Sequence, residues 1–98
     1  LIVTIFRNRL SSGDREEYEA WAARMDALVV SMPGYISHKR FDAPDGERVT
    51  IAEFESEEAQ AAWRNHPEHR KAQRMGKEKF YAEYDLKVCA LKRHSTLR

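Results

Sequence analysis

Residues 61–84 read AAWRNHPEHRKAQRMGKEKFYAEY, and this stretch decides the fold. It opens with helix formers, is interrupted at Pro67, resumes, and passes into an aromatic run at Phe80. A proline inside a helix removes a backbone donor and collides with the preceding turn, so it ends or kinks the helix. At the first position of a new helix it is well tolerated. The spacing therefore predicts two helical pieces meeting at His66–Pro67. In the second piece His69, Ala72 and Gly76 share one face with Gln73 on its shoulder, while Arg70, Lys71, Arg74 and Lys77 take the other side. A small, polar-capable face opposite a basic one suits the lining of a cavity. It suits close packing on a sheet equally well.

Upstream, Leu1–Arg9 (LIVTIFRNR) has the length and β-branched content of a strand. Leu1, Val3 and Ile5 lie on one face and Ile2, Thr4 and Phe6 on the other, so cover is expected on both sides. Asn8 continues the Phe6 face and needs partners for its amide. Asp14 and Glu17 have capping-box spacing, and a helix follows with Tyr18, Trp21, Ala22, Met25, Leu28, Val29 and Met32 as its apolar stripe. Glu16, Glu19, Arg24 and Asp26 are expected mostly outside that stripe. Met32-Pro33-Gly34 stops the helix.

Tyr35–Asp42 reads as a second strand, with Ile36, His38 and Arg40 on one face and Tyr35, Ser37, Lys39 and Phe41 on the other. Pro44-Asp45-Gly46 supplies a tight reversal into a third strand, Glu47–Glu55, antiparallel to the second. Ser56 is an N-cap for a helix expected to turn Ala59, Ala62 and Trp63 inward. Phe80–Lys92 is the last strand. Residues 1–92 thus form one domain, and residues 93–98 a polar tail.

The order β-α-β-β-α-β fits a ferredoxin-like α+β fold, with helices on one face of a four-stranded antiparallel sheet. The opposite face keeps Val3 and Ile5, and a second copy is the economical cover, so a homodimer through the open sheet face is expected. Seventeen basic and 16 acidic residues leave a net charge of +1, which argues against a nucleic-acid partner. No stretch approaches a membrane span. A single cysteine, Cys89, allows no internal disulfide and fits a reducing, cytoplasmic setting. No CxxC, HExxH, P-loop or GxGxxG occurs.

FRNRL at the first strand, MPGYISHKRF at the second, and the stretch quoted above together resemble the antibiotic biosynthesis monooxygenase domain, over essentially the whole chain. The resemblance implies a dimeric α+β barrel. It also implies small oxygenases that use no metal or flavin and act on quinol-like or polyketide aromatic substrates. One branch of the family degrades haem with an Asn, a Trp and a haem-ligating His. Asn8 and Trp63 match the first two, but Gln73 stands ten residues after Trp63, where the branch has its His. Glutamine is a poor axial ligand, so haem oxygenation is the weaker alternative. A non-catalytic dimer that binds a small ligand is the other.

A cofactor-free oxygenase needs an electron-rich substrate, made anionic by proton removal and shielded from bulk water. The expected assignments follow. His69 is the base, with His66 next. Asn8 and Trp63 orient substrate and oxygen. Gln73, Phe6 and His38 contact the substrate. The whole scheme requires the broken helix to lie over the Asn8 face.

Overall fold

Residues 1–97 are described by the computed structural model, and Arg98, the end of the expected tail, lies outside the described residues. The strands are β1 (Ile2–Leu10), β2 (Tyr35–Asp42), β3 (Arg48–Phe54) and β4 (Tyr81–Ala90). The helices are α1 (Arg15–Val29), α2 (Glu57–Arg64) and α3 (Pro67–Met75). The sheet order is β2-β3-β1-β4 and every neighbouring pair is antiparallel. This is the expected ferredoxin-like α+β arrangement, with the second helix split at Pro67.

Local chemistry sets the element ends. The Asp14 carboxylate accepts the Glu17 N–H at 3.0 Å and starts α1. Ser56 does the same for α2, accepting from the Ala59 N–H at 3.1 Å. Gly34 follows α1 with φ +83°, and the Cβ of Ala59 lies 2.5 Å from where a side chain at Gly34 would begin. Glycine is required there both by the backbone angle and by the approach of α2.

Register decides which residues face the helices. Ile2, Thr4, Phe6 and Asn8 of β1 pair with Phe54, Ala52, Thr50 and Arg48 of β3. That side carries the core, formed by Ile2, Tyr18, Val29, Phe54 and Phe80, with Phe54 at 1% exposure the most deeply enclosed. The other side of the sheet carries Val3, Ile5, Val49 and Ile51, with Ile51 36% exposed. The helices also leave one flank of their own side uncovered. Tyr84, Leu86 and Val88 of β4 pair with the core-facing residues Asn8, Phe6 and Thr4, yet each is nearly half exposed.

Three expectations need correction. The register shifts between Tyr35 and Ser37, so Tyr35 turns to the core side, its ring 6.4 Å from Phe54 and its hydroxyl bonded to His38. In α2 the inward residue is Gln60, at 6% exposure, and Ala62 is exposed. The last strand begins at Tyr81 because one π-turn, Gly76–Phe80, intervenes. The Tyr81 ring packs 2.6 Å from where a Cβ on Gly76 would sit, a contact only glycine permits. Ser11 clamps the turn: its N–H donates to the Phe80 carbonyl at 2.8 Å and its hydroxyl to the Lys79 carbonyl at 2.6 Å.

Candidate active site

A cavity of about 330 Å³ lies between the core side of the sheet, α1, and the α2–α3 break. Phe6 and Asn8 are in its floor, Tyr18 and Trp21 in its α1 wall, and Trp63, His69 and Gln73 in its roof. It opens beside the uncovered flank of β4, where Tyr84 and Leu86 line it. Six of the seven residues singled out from the sequence are therefore in one cavity wall, and His66 is not.

The break at Pro67 builds the roof. α2 stops at Arg64, and α3 starts with His66 as its N-cap and Pro67 in its first turn. The His66 ring accepts the Glu68 N–H at Nδ1, 3.2 Å away. That corrects the expectation for His66: the ring is committed to capping a helix and stands outside the cavity. The end of α2 leaves carbonyls without the partner four residues on, and the Trp63 carbonyl accepts the His66 N–H, at 3.1 Å, from the backbone. The Trp63 carbonyl receives His69 Nδ1 at 2.9 Å, and the Arg64 carbonyl receives the Gln73 amide at 3.1 Å. The His69 ring also stacks on Trp63, with centroids 4.0 Å apart and planes 15° from parallel.

These contacts fix the proton on His69. A carbonyl only accepts, so Nδ1 carries the hydrogen and Nε2 keeps the free lone pair. Gln73 Nε2 is 3.4 Å from Nδ1, but both are then donors, and Gln73 gives its hydrogen to Arg64 instead. Burial pushes the His69 pKa below the ordinary 6.5, and nearby His66 adds to this while the Trp63 carbonyl opposes it. The ring is a neutral base at neutral pH.

Asn8 is 4% exposed, and its Oδ1 has no hydrogen-bond partner. Its cross-strand neighbour Arg48 also buries two donors, Nε and Nη1, without a hydrogen bond. Arg48 Nε lies 3.2 Å from Asp42 Oδ1, a charge contact without hydrogen-bond alignment. Buried polar atoms are nearly always paired, so this orphan acceptor in the cavity floor is free to receive a donor. Replacing Asn8 with leucine is therefore expected to hold or raise the unfolding free energy, by up to about 1–3 kcal/mol of relieved desolvation, and with it the melting temperature. Urea and thermal melts check this.

His38 lines the cavity, but both ring nitrogens are engaged: Nδ1 with the Tyr35 hydroxyl at 2.7 Å and Nε2 with Asp26 at 3.1 Å. Arg40 pairs with the same carboxylate at 3.2 Å. His38 is thus in the cavity lining, as expected, with both ring nitrogens already committed to Tyr35 and Asp26. Asp26, Arg40, Gln60 and Tyr81 also line the cavity and were missed from the sequence. Asp26 was expected outside the apolar stripe, but it stands four residues after Ala22, and that spacing is the signal that puts it on the cavity side. Burial raises the Tyr81 pKa far above the ordinary phenol value, which keeps its hydroxyl a donor.

The position where the haem-degrading branch has its ligand offers none here. Gln73 occupies the position expected of the ligand, and its amide is bound to the Arg64 carbonyl. Among the described residues no group of three His, Cys, Asp or Glu stands close enough to hold a metal ion, and no helix is long and apolar enough to cross a membrane.

The profile of the antibiotic biosynthesis monooxygenase family matches residues 1–75. An uncharacterised protein, YqjZ of Bacillus subtilis, is 30% identical over 76 residues, 78% of this chain and 67% of that protein. Rv0793 of Mycobacterium tuberculosis superposes with a TM-score of 0.83 at 19% identity, covering 97% of this chain and 98% of that one. SnoaB of Streptomyces nogalater, a cofactor-independent oxygenase, superposes with a TM-score of 0.78 at 17% identity, covering 95% and 94%. At those identities the two structures bear on the fold, which they share, while the profile and the sequence relative bear on descent. The chain belongs to the antibiotic biosynthesis monooxygenase family.

Proposed function

We propose that this protein is a cofactor-independent monooxygenase acting on a small aromatic phenol, quinol or polyketide-like anthrone. The observation that carries the reading is the pairing of a neutral, tautomer-fixed His69 in the roof with the unpartnered Asn8 Oδ1 in the floor of one apolar cavity. A ligand store without chemistry would need only the apolar walls. The convergence of polar groups favours catalysis over simple binding.

The steps for an anthrone are as follows. His69 Nε2 takes a proton from the activated methylene, leaving a delocalised carbanion. Asn8 Oδ1 accepts from a phenolic hydroxyl of the substrate, the Tyr81 hydroxyl donates to its carbonyl oxygen, and the Trp63 face, with Phe6 below, covers its rings. The carbanion passes an electron to dioxygen and the two radicals combine at carbon as a peroxide. Loss of water then yields the carbonyl. One oxygen atom stays on carbon and the other leaves in water with both methylene hydrogens, so no external reductant is consumed. The low-dielectric cavity strengthens each of these polar contacts.

The test is oxygen uptake and quinone formation by purified, chelator-treated protein on a panel of anthrones and quinols. Turnover by wild type that is lost in Asn8→Leu, with folding intact, supports the reading. A folded wild type that leaves the whole panel unchanged overturns it. We further propose that two copies pair through the open side of the sheet, covering Val3, Ile5 and Ile51. Light scattering is expected to give twice the 11.5 kDa chain mass, and Ile51→Glu to return it to the monomer value.

A further inference from the structure

We infer that the cavity takes an aromatic substrate carrying a carboxylate, and that Arg64 and Lys77 hold that group at the rim. The inference rests on the cavity being the substrate site, and it specifies the substrate class for it.

The charges around the cavity are unequal. Arg40, Arg64 and Lys77 line it as cations, and Asp26 is the one carboxylate lining it among the described residues. Asp26 is already matched by Arg40 at 3.2 Å. Arg64 and Lys77 have no carboxylate within 4.0 Å among the described residues; Arg70 and Arg74 of α3 have none either, but do not line the cavity. The cavity thus presents two uncompensated positive charges beside an apolar interior.

Exposed basic side chains are common, and what sets Arg64 apart is its support. Gln60 is 6% exposed on a helix whose neighbours are alanines, and its Oε1 accepts from Arg64 Nη1 at 3.3 Å. A buried amide is costly without a partner. Here its partner is the guanidinium, which the contact holds against the cavity. Lys77 follows Gln73 by four residues, and Gln73 donates to the Arg64 carbonyl at 3.1 Å. Lys77 thus lines the cavity instead of the outer, basic side expected for it, in the same lining as Arg64 and Gln73. A guanidinium fork receives a carboxylate through two parallel hydrogen bonds, and an ammonium adds a point charge. The carboxylate would sit at the rim with the rings reaching inward between Trp63 and Phe6.

The test compares two probes with the same rings, 2-naphthol and 3-hydroxy-2-naphthoate, by titration calorimetry against wild type and variants. Wild type is expected to bind the naphthoate about tenfold more tightly at low salt, since each of two rim charge pairs contributes modestly. The preference is expected to shrink as salt is raised toward 0.5 M. Arg64→Gln and Lys77→Gln each reduce it roughly threefold and leave naphthol binding unchanged. Gln60→Leu weakens the preference as Arg64→Gln does, and Arg70→Gln, on the outer side of α3, leaves it intact. Equal affinity for the two probes, no binding of either, or a preference that survives the double variant Arg64→Gln/Lys77→Gln overturns the inference. If the preference holds but no anthrone or quinol is oxidised, the oxygenase reading falls and this one stands. If neutral quinols turn over and the preference is absent, the reverse is true.

Discussion

His69→Ala is expected to reduce turnover about 10²- to 10⁴-fold, the span that a positioned general base contributes. The direction of the pH dependence follows from the same ring. The working form is neutral, and burial holds the folded pKa below 6.5. The wild-type rate therefore rises with pH through an acid limb whose midpoint lies below 6.5. His69→Ala should lose that limb as well as the rate. Stability runs the same way. A depressed folded pKa favours the neutral form in the native state, so the contribution is fully present above the unfolded value. It is lost as pH falls through the folded one. Profiles of kcat/KM from pH 5 to 8, with urea melts at both ends, check both statements. An acid limb unchanged in His69→Ala would assign the base elsewhere.

Phe54→Ala is expected to cost about 3–5 kcal/mol, against roughly 5–15 kcal/mol for the whole domain. Phe54 is 1% exposed, at the end of β3, where it meets Ile2 of β1 and Tyr35 of β2 across the strands. The cavity left behind is walled by two backbone ladders that cannot collapse into it. Urea unfolding should show a midpoint shifted far down with an unchanged slope. If the midpoint moves by less than that of Ile51→Ala, on the open side, then Phe54 is not the centre of the core.

The two helical pieces, the antiparallel hairpin and the Asn8 face were legible because each follows from a local rule. Pro67 sets the break, Pro44-Asp45-Gly46 sets the turn, and alternation from Ile2 carries through to Asn8. What escaped notice depends on events between elements. Tyr35 changes sides through a register shift, and no alternation rule announces such a shift. The π-turn brings Gly76 against Tyr81 and is clamped by Ser11, a residue far away in the chain, through two carbonyls. Asp26 was placed outside the stripe by its charge and Gln60 drew no notice, yet each turns toward the cavity and meets a charged partner, Arg40 and Arg64. His66 and His69 look alike on paper. Only the position of the α3 start separates a capping ring from a cavity ring.

The interruption at Pro67 has a chemical corollary. The imidazole hydrogen sits on Nδ1 because a backbone oxygen from the end of α2 is there to receive it. A continuous helix would claim that oxygen for its own ladder. The imino acid thus selects a tautomer on a ring it does not touch. A relative that lost this proline while keeping the histidine would retain the residue but forfeit its proton address.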